Sequence, residues 1–162
     1  MKANHLLLQG ILVLGVSGCA TAPPRTEVTR SGRPEIVIAA PVQSIKSAIV
    51  ADMMREGYTI QKDTDLLLEF SRPTKGAEDF LTSMAVGNGY STNTRVTQFT
   101  IVRDGENAFR VFVSSSVQAQ MPGGQVKSMS LNENNNVFNT YQAALKKMKD
   151  DLEAKRPTSG GG

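Results

Sequence analysis

Two periodicities divide the chain into elements. Residues 35–39 (EIVIA) form a short β-rich run, and Pro41 suits the first turn of a helix that follows. Val42, Ile45, Ile49 and Met53 then recur at helical spacing, and Gly57 supplies the stop. Residues 58–62 alternate, with Tyr58 and Ile60 on one face. After the turn Asp63-Thr64-Asp65, residues 66–70 return as the second strand of a hairpin. Pro73 to Gly76 break that strand, and Ala77, Phe80, Leu81, Met84 and Ala85 follow the spacing of a short amphipathic helix ended by Gly87-Asn88-Gly89.

Two longer strands, 95–103 and 107–120, are joined by Asp104-Gly105-Glu106, a hairpin signal. In the second, Phe109, Val111, Val113, Val117 and Ala119 share one face. Arg110, Ser114, Ser116, Gln118 and Gln120 share the other, which alternation turns toward water. Val137, Tyr141, Leu145, Met148 and Leu152 line one side of a long C-terminal helix, with Ser130 and Glu133 at capping-box spacing before it. The predicted order is β-α-β-β-α-β-β-α. Hairpin-joined strands flanked by helices predict an α+β fold: an antiparallel sheet of about five strands covered on one face by two long helices and one short one.

The N-terminus reads differently. Lys2 and the amine are followed by an apolar stretch from Leu6 to Val16, too short to span a bilayer and ending in small residues. Val16-Ser17-Gly18-Cys19 resembles the lipobox of bacterial lipoproteins. The resemblance implies cleavage between Gly18 and Cys19, a diacylglyceryl thioether on the Cys19 sulfur and acylation of the new amine. Two or three acyl chains, at about 0.8 kcal/mol per buried CH₂, hold a protein to a membrane almost permanently. Ala20 stands where lipoproteins retained at the inner membrane usually carry Asp, so the resemblance implies the outer membrane, with the domain facing the periplasm. The chain thus divides into a signal segment (1–18), a lipidated tether (19–34), one globular domain (35–156) and a flexible tail (157–162). Three Pro and a Gly with one bulky apolar residue, Val28, mark residues 20–34 as tether, long enough to reach about 50 Å at ~3.3 Å per residue.

Composition then narrows the chemistry. The 162 residues hold one Cys, one His and no Trp. His5 lies in the signal segment and Cys19 is consumed by lipid, so the mature domain is expected to lack the residues for Ser-His-Asp, Cys-His, zinc-histidine and haem-histidine chemistry. No metal, cofactor or catalytic residue is expected. With 18 Lys+Arg against 15 Asp+Glu the charge excess is small. Lys146, Lys147 and Lys149 interleave with Asp150, Asp151 and Glu153, the pattern of a solvated helix face, and no nucleic-acid partner is expected.

Few segments stand out as binding features. The stretch 87–94 (GNGYSTNT) reads as an interaction loop presenting Asn88, Tyr90 and Asn93, or as a helix C-cap leading into a strand. Asn132, Asn134, Asn135 and Asn136 read as a polar contact patch, or as the cap of the last helix. Glu69 is the one strand carboxylate flanked by apolar residues, and alternation points it outward. Three readings stand: a non-enzymatic interaction or accessory module of the cell envelope with a protein partner, a carrier of a lipid or other hydrophobic ligand, and a cell-wall hydrolase. A tightly filled core and an exposed sheet face favour the first. A cavity lined by Phe99, Ile101, Val111 and Val113 but not filled by Leu145 and Met148 favours the second, and paired carboxylates in a cleft favour the third.

Overall fold

The computed structural model describes residues 29–75, 92–120 and 123–155. Its elements are β1 (Glu35–Ile38), α1 (Val42–Arg55), β2 (Thr59–Asp63), β3 (Leu67–Pro73), β4 (Thr92–Arg103), β5 (Phe109–Gln120), β6 (Val126–Ser130) and α2 (Asn135–Ala154). The fold is α+β, as expected. The short helix expected around 77–85 lies outside the described residues.

All strand pairs are antiparallel, in the order β1-β5-β4-β3-β2, and β6 also pairs with β5. Among the described residues the sheet therefore has six strands, where about five were expected. Strand β6 escapes the periodicity because it is short and largely exposed. One edge of β5 serves two partners: β1 pairs with Phe109–Phe112 and β6 with Ser116–Gln120. Between them, Pro34 O accepts from Val113 N–H at 2.9 Å, and Asn132 Oδ1 accepts from Ser115 N–H at 2.9 Å. A side chain thus fills a position in the ladder between two strands.

Alternation sets the two faces. Ile38, Leu68, Phe70, Phe99, Ile101, Val111 and Val113 form one buried cluster with Ile45, Ile49 and Met53 of α1 and Leu145 and Met148 of α2. Helix α1 starts after Pro41, whose carbonyl accepts from Ser44 and Ile45, and stops at Gly57, where φ is +79° and a side chain would be strained. The hairpin between β4 and β5 turns through Gly105 at φ +105°. On the outer face, Gln98 donates to Glu69 at 2.6 Å, so Glu69 does point outward. Strand β2 departs from expectation: its register slips between Ile60 and Lys62, and Ile60 is exposed while Tyr58 is buried. The bulged, exposed strand forms that sheet edge.

Contacts also reach residues that composition assigns to the tether. Thr29 Oγ1 donates to Arg33 O, and the Arg33 guanidinium lies 4.8 Å from the Phe112 ring centroid while donating to Ser114. Residues 29–34 are therefore held to β5 rather than left as tether.

Helix α2 corrects two expectations. Its cap is Asn134, whose Oδ1 accepts from Asn136 N–H and Val137 N–H. Ser130 instead accepts from Asn132 N–H, so no Ser130–Glu133 capping box forms. The fully buried stripe is Phe138, Gln142, Leu145 and Met148, rotated from the Val137–Tyr141–Leu152 line.

The rotation has a cause at the far edge of the sheet. Gln142 Oε1 accepts from Glu35 N–H at 3.0 Å, and its Nε2 donates to Glu35 O at 3.1 Å. Lys149 Nζ donates to Val37 O and Glu153 Oε1 accepts from Ala39 N–H, each at 2.8 Å. Every second residue of β1 is thereby bonded on its outer side by a side chain of α2.

Replacing Gln142 with Leu keeps an apolar-compatible volume but strips both partners from buried Glu35. Gln142→Leu is expected to cost about 2–4 kcal/mol in urea unfolding, because two buried main-chain groups lose their bonds. A Lys147→Ala control, which breaks an exposed pair with Asp151, is expected to leave the transition unmoved.

Candidate functional site

The C-terminal half of α1, the first half of α2 and the inner ends of β3 and β4 enclose a cavity of about 490 Å³. Its apolar lining includes Met53, Phe99, Val137, Leu145 and Met148. Four other side chains set its character: Tyr58, Arg72, Arg95 and Tyr141.

Strand register explains how two arginines come to share this wall. Arg72 and Arg95 are direct partners across β3 and β4. Arg72 continues the inward phase of Leu68 and Phe70, and Arg95 that of Phe99 and Thr97. Like charges directly opposite one another destabilise a sheet. Aromatic faces offset the cost: the Arg72 guanidinium carbon lies 5.0 Å from the Tyr58 centroid and that of Arg95 lies 6.0 Å from the Tyr141 centroid. Arg95 Nε also donates to Ser115 Oγ at 3.3 Å.

Tyr141 is the hinge of this arrangement. Its hydroxyl is 2.9 Å from Thr97 Oγ1 and its ring meets Phe99 edge to face at 6.5 Å, while Phe99 meets Phe70 in the same way at 5.9 Å. Burial pushes the Tyr141 phenol above its ordinary pKa, as does the neighbouring Tyr58, against the opposing pull of Thr97 and Arg95. At the rim Asp52 pairs with Arg55 at 3.0 Å and Lys147 with Asp151 at 2.9 Å, and Glu56 completes the charged border.

Two other hollows differ in kind. One of about 580 Å³ lies at the opposite end, beside Arg103, Glu106, Asn107 and Lys155, all exposed and of mixed sign. A third, of about 270 Å³, is a polar groove on the outer face beside Glu69, Ser71 and Gln118.

The residues singled out by sequence do not build the inter-helix cavity. Gly18, Cys19, Asn88 and Tyr90 lie outside the described residues. Asn93 is not on a loop: it belongs to β4 and is buried, and its carbonyl accepts from both the N–H and the hydroxyl of Thr74. The asparagine cluster serves local structure, through the Asn132 bridge and the Asn134 cap. The signal for the cavity was present but weak: a cation in the inward phase of each of two strands, whose adjacency only the register reveals.

No protein-family model matches the chain, and no curated protein matches it.

The Tyr141 phenol yields a pH prediction. Because its pKa is raised in the folded state, the stability that the neutral phenol confers is intact below the ordinary tyrosine value and is lost as pH rises through the raised one. Tyr141→Phe is expected to cost about 1 kcal/mol at neutral pH, for the lost bond to Thr97. It should also lessen the fall in stability above about pH 10 that the parent shows in unfolding titrations.

Proposed function

We propose that this chain is a lipid-anchored lipoprotein of the bacterial cell envelope, held through Cys19 at the periplasmic face of the outer membrane. Its domain acts there as a non-enzymatic interaction or accessory module with a protein partner. The ordered run of basic n-region, apolar stretch, small residues and Cys19 supports the anchor. Among the described residues no helix is long and apolar enough to cross a membrane.

The observation that carries the module reading is the packing between sheet and helices. Of the four residues that a hydrophobic-ligand carrier would leave facing a cavity, Phe99 does line the inter-helix cavity, but Ile101, Val111 and Val113 are at most 1% exposed and sit in one cluster with Leu145 and Met148. A large apolar cargo would have to displace that layer. Recognition is then left to surfaces and to the smaller side cavity. For the hydrolase reading, Glu69 on the outer face is engaged by Gln98 and has no partner carboxylate across a cleft among the described residues that line its groove.

Two experiments test the proposal. Cys19→Ser is expected to abolish lipidation, leaving an unprocessed or soluble form on cell fractionation. A mature-size band still in the membrane fraction would contradict the anchor. Crosslinking in intact cells, followed by mass spectrometry, is expected to return one recurrent protein partner. Recovery of a bound lipid with no protein partner would replace the module reading with the carrier reading.

A further inference from the structure

We propose that residues 29–33 form a strap that sets how the domain stands on its membrane. The outer face of the sheet is held toward the bilayer, and the α1–α2 side opens away from it. The inference rests on the Cys19 anchor proposed above and deepens the module reading by naming the side left open to a partner.

The strap is built from short-range bonds. Gly32, at φ +70°, closes a turn in which its N–H donates to Thr29 O at 3.3 Å, and Thr29 Oγ1 donates to Arg33 O at 2.6 Å. The Arg33 guanidinium stacks on the Phe112 ring and donates to Ser114 Oγ at 3.2 Å. Phe112 and Ser114 alternate with buried Val111, Val113 and Ser115, so they belong to the outer face. Ser31 and the Arg30 main chain bear on the Glu35 carboxyl, and Glu35 is the cross-strand partner of Phe112 on that same face. The strap therefore lies on the outer face, while the core shared with α1 and α2 lies on the other.

Chain length turns this position into an orientation. Ten peptide units separate Cys19 from Thr29, and at roughly 3.3–3.6 Å each they reach at most about 36 Å, whatever their path. A domain of this size has a radius of about 18 Å. To lay the α1–α2 side on the bilayer, the chain would have to pass around a quarter of the circumference and descend one radius, about 46 Å. The strapped chain is too short for that. A chain free as far as Pro34 would reach about 50 Å and could do it. Charge does not set the orientation, because Arg33 and Arg110 on the outer face are matched by Glu35 and Glu69.

The experiment uses the full-length gene product, purified from membranes and reconstituted in phosphatidylethanolamine–phosphatidylglycerol vesicles that contain a nitroxide-headgroup lipid. Mass spectrometry first establishes the acyl chains on Cys19. With that thiol consumed, a fluorophore is attached at a new cysteine, either Gln118→Cys on the outer face or Ala143→Cys on the exposed side of α2. The probe at 118 is expected to be quenched several-fold more than the probe at 143, at low and high salt alike. Inserting about six Gly/Ser residues between Val28 and Thr29 restores a reach above 50 Å without touching the strap, and should bring the two probes to equal quenching. Thr29→Val combined with Arg33→Ala, which frees the strap, should do the same. Equal quenching in the parent, stronger quenching at 143, a preference that salt removes, or one that survives either change overturns the strap with the anchor intact. Absence of acyl chains on Cys19 would instead strike the anchor reading and this inference with it.

Discussion

The outer edge of β1 is the constraint on which the arrangement depends. An edge strand presents main-chain donors and acceptors that must be bonded or wetted, and here they face a helix instead of a seventh strand. Gln142, Lys149 and Glu153 answer Glu35, Val37 and Ala39 in order, so a helix with seven- and four-residue steps tracks a strand with two-residue steps. The Lys149–Glu153 pair at 2.8 Å keeps two of these side chains in register. These bonds fix the rotation of α2, and that rotation sends Leu145 and Met148 into the core. Closing the edge also removes a template for unwanted strand pairing.

The opposite face of β1 is tied down electrostatically. Arg110 bridges Glu35 at 3.1 Å and Asp104 at 2.7 Å, linking β1 to the β4–β5 turn. Burial alone would raise the Glu35 carboxyl, but Ser31, the Arg110 charge and the Arg30 main chain together hold it below its ordinary range. With β1 fixed on both sides, α2 has one seat on the sheet. Where it parts from α1, the gap becomes the cavity, with Tyr141 on α2 and Tyr58 just after α1 standing over the paired arginines. Fold and candidate site are thus consequences of one docking geometry.

Local rules made much of this legible. Alternation in β5 identified its inward residues, the Asp104-Gly105-Glu106 turn identified the hairpin, and Ile45, Ile49 and Met53 identified the buried face of α1. The failures are non-local. Gln142 looks like a surface residue until β1 supplies its partners, and without it the apolar line of α2 is read one residue off. Asn93 looks like a loop residue because its neighbours are Gly, Ser, Thr and Asn, yet its carbonyl is taken up by Thr74. Arg72 and Arg95 are 23 positions apart in sequence and become a site only through the β3–β4 register.

The central claim is that α2 closes the β1 edge, and native-state amide hydrogen exchange reads it directly. The Glu35 and Ala39 amides face away from β5, so ordinary edge amides at those positions would exchange quickly. The account predicts protection comparable to that of ladder amides in β5, and far above that of amides on the open side of β2. Exchange of Glu35 and Ala39 as fast as those β2 amides would contradict it.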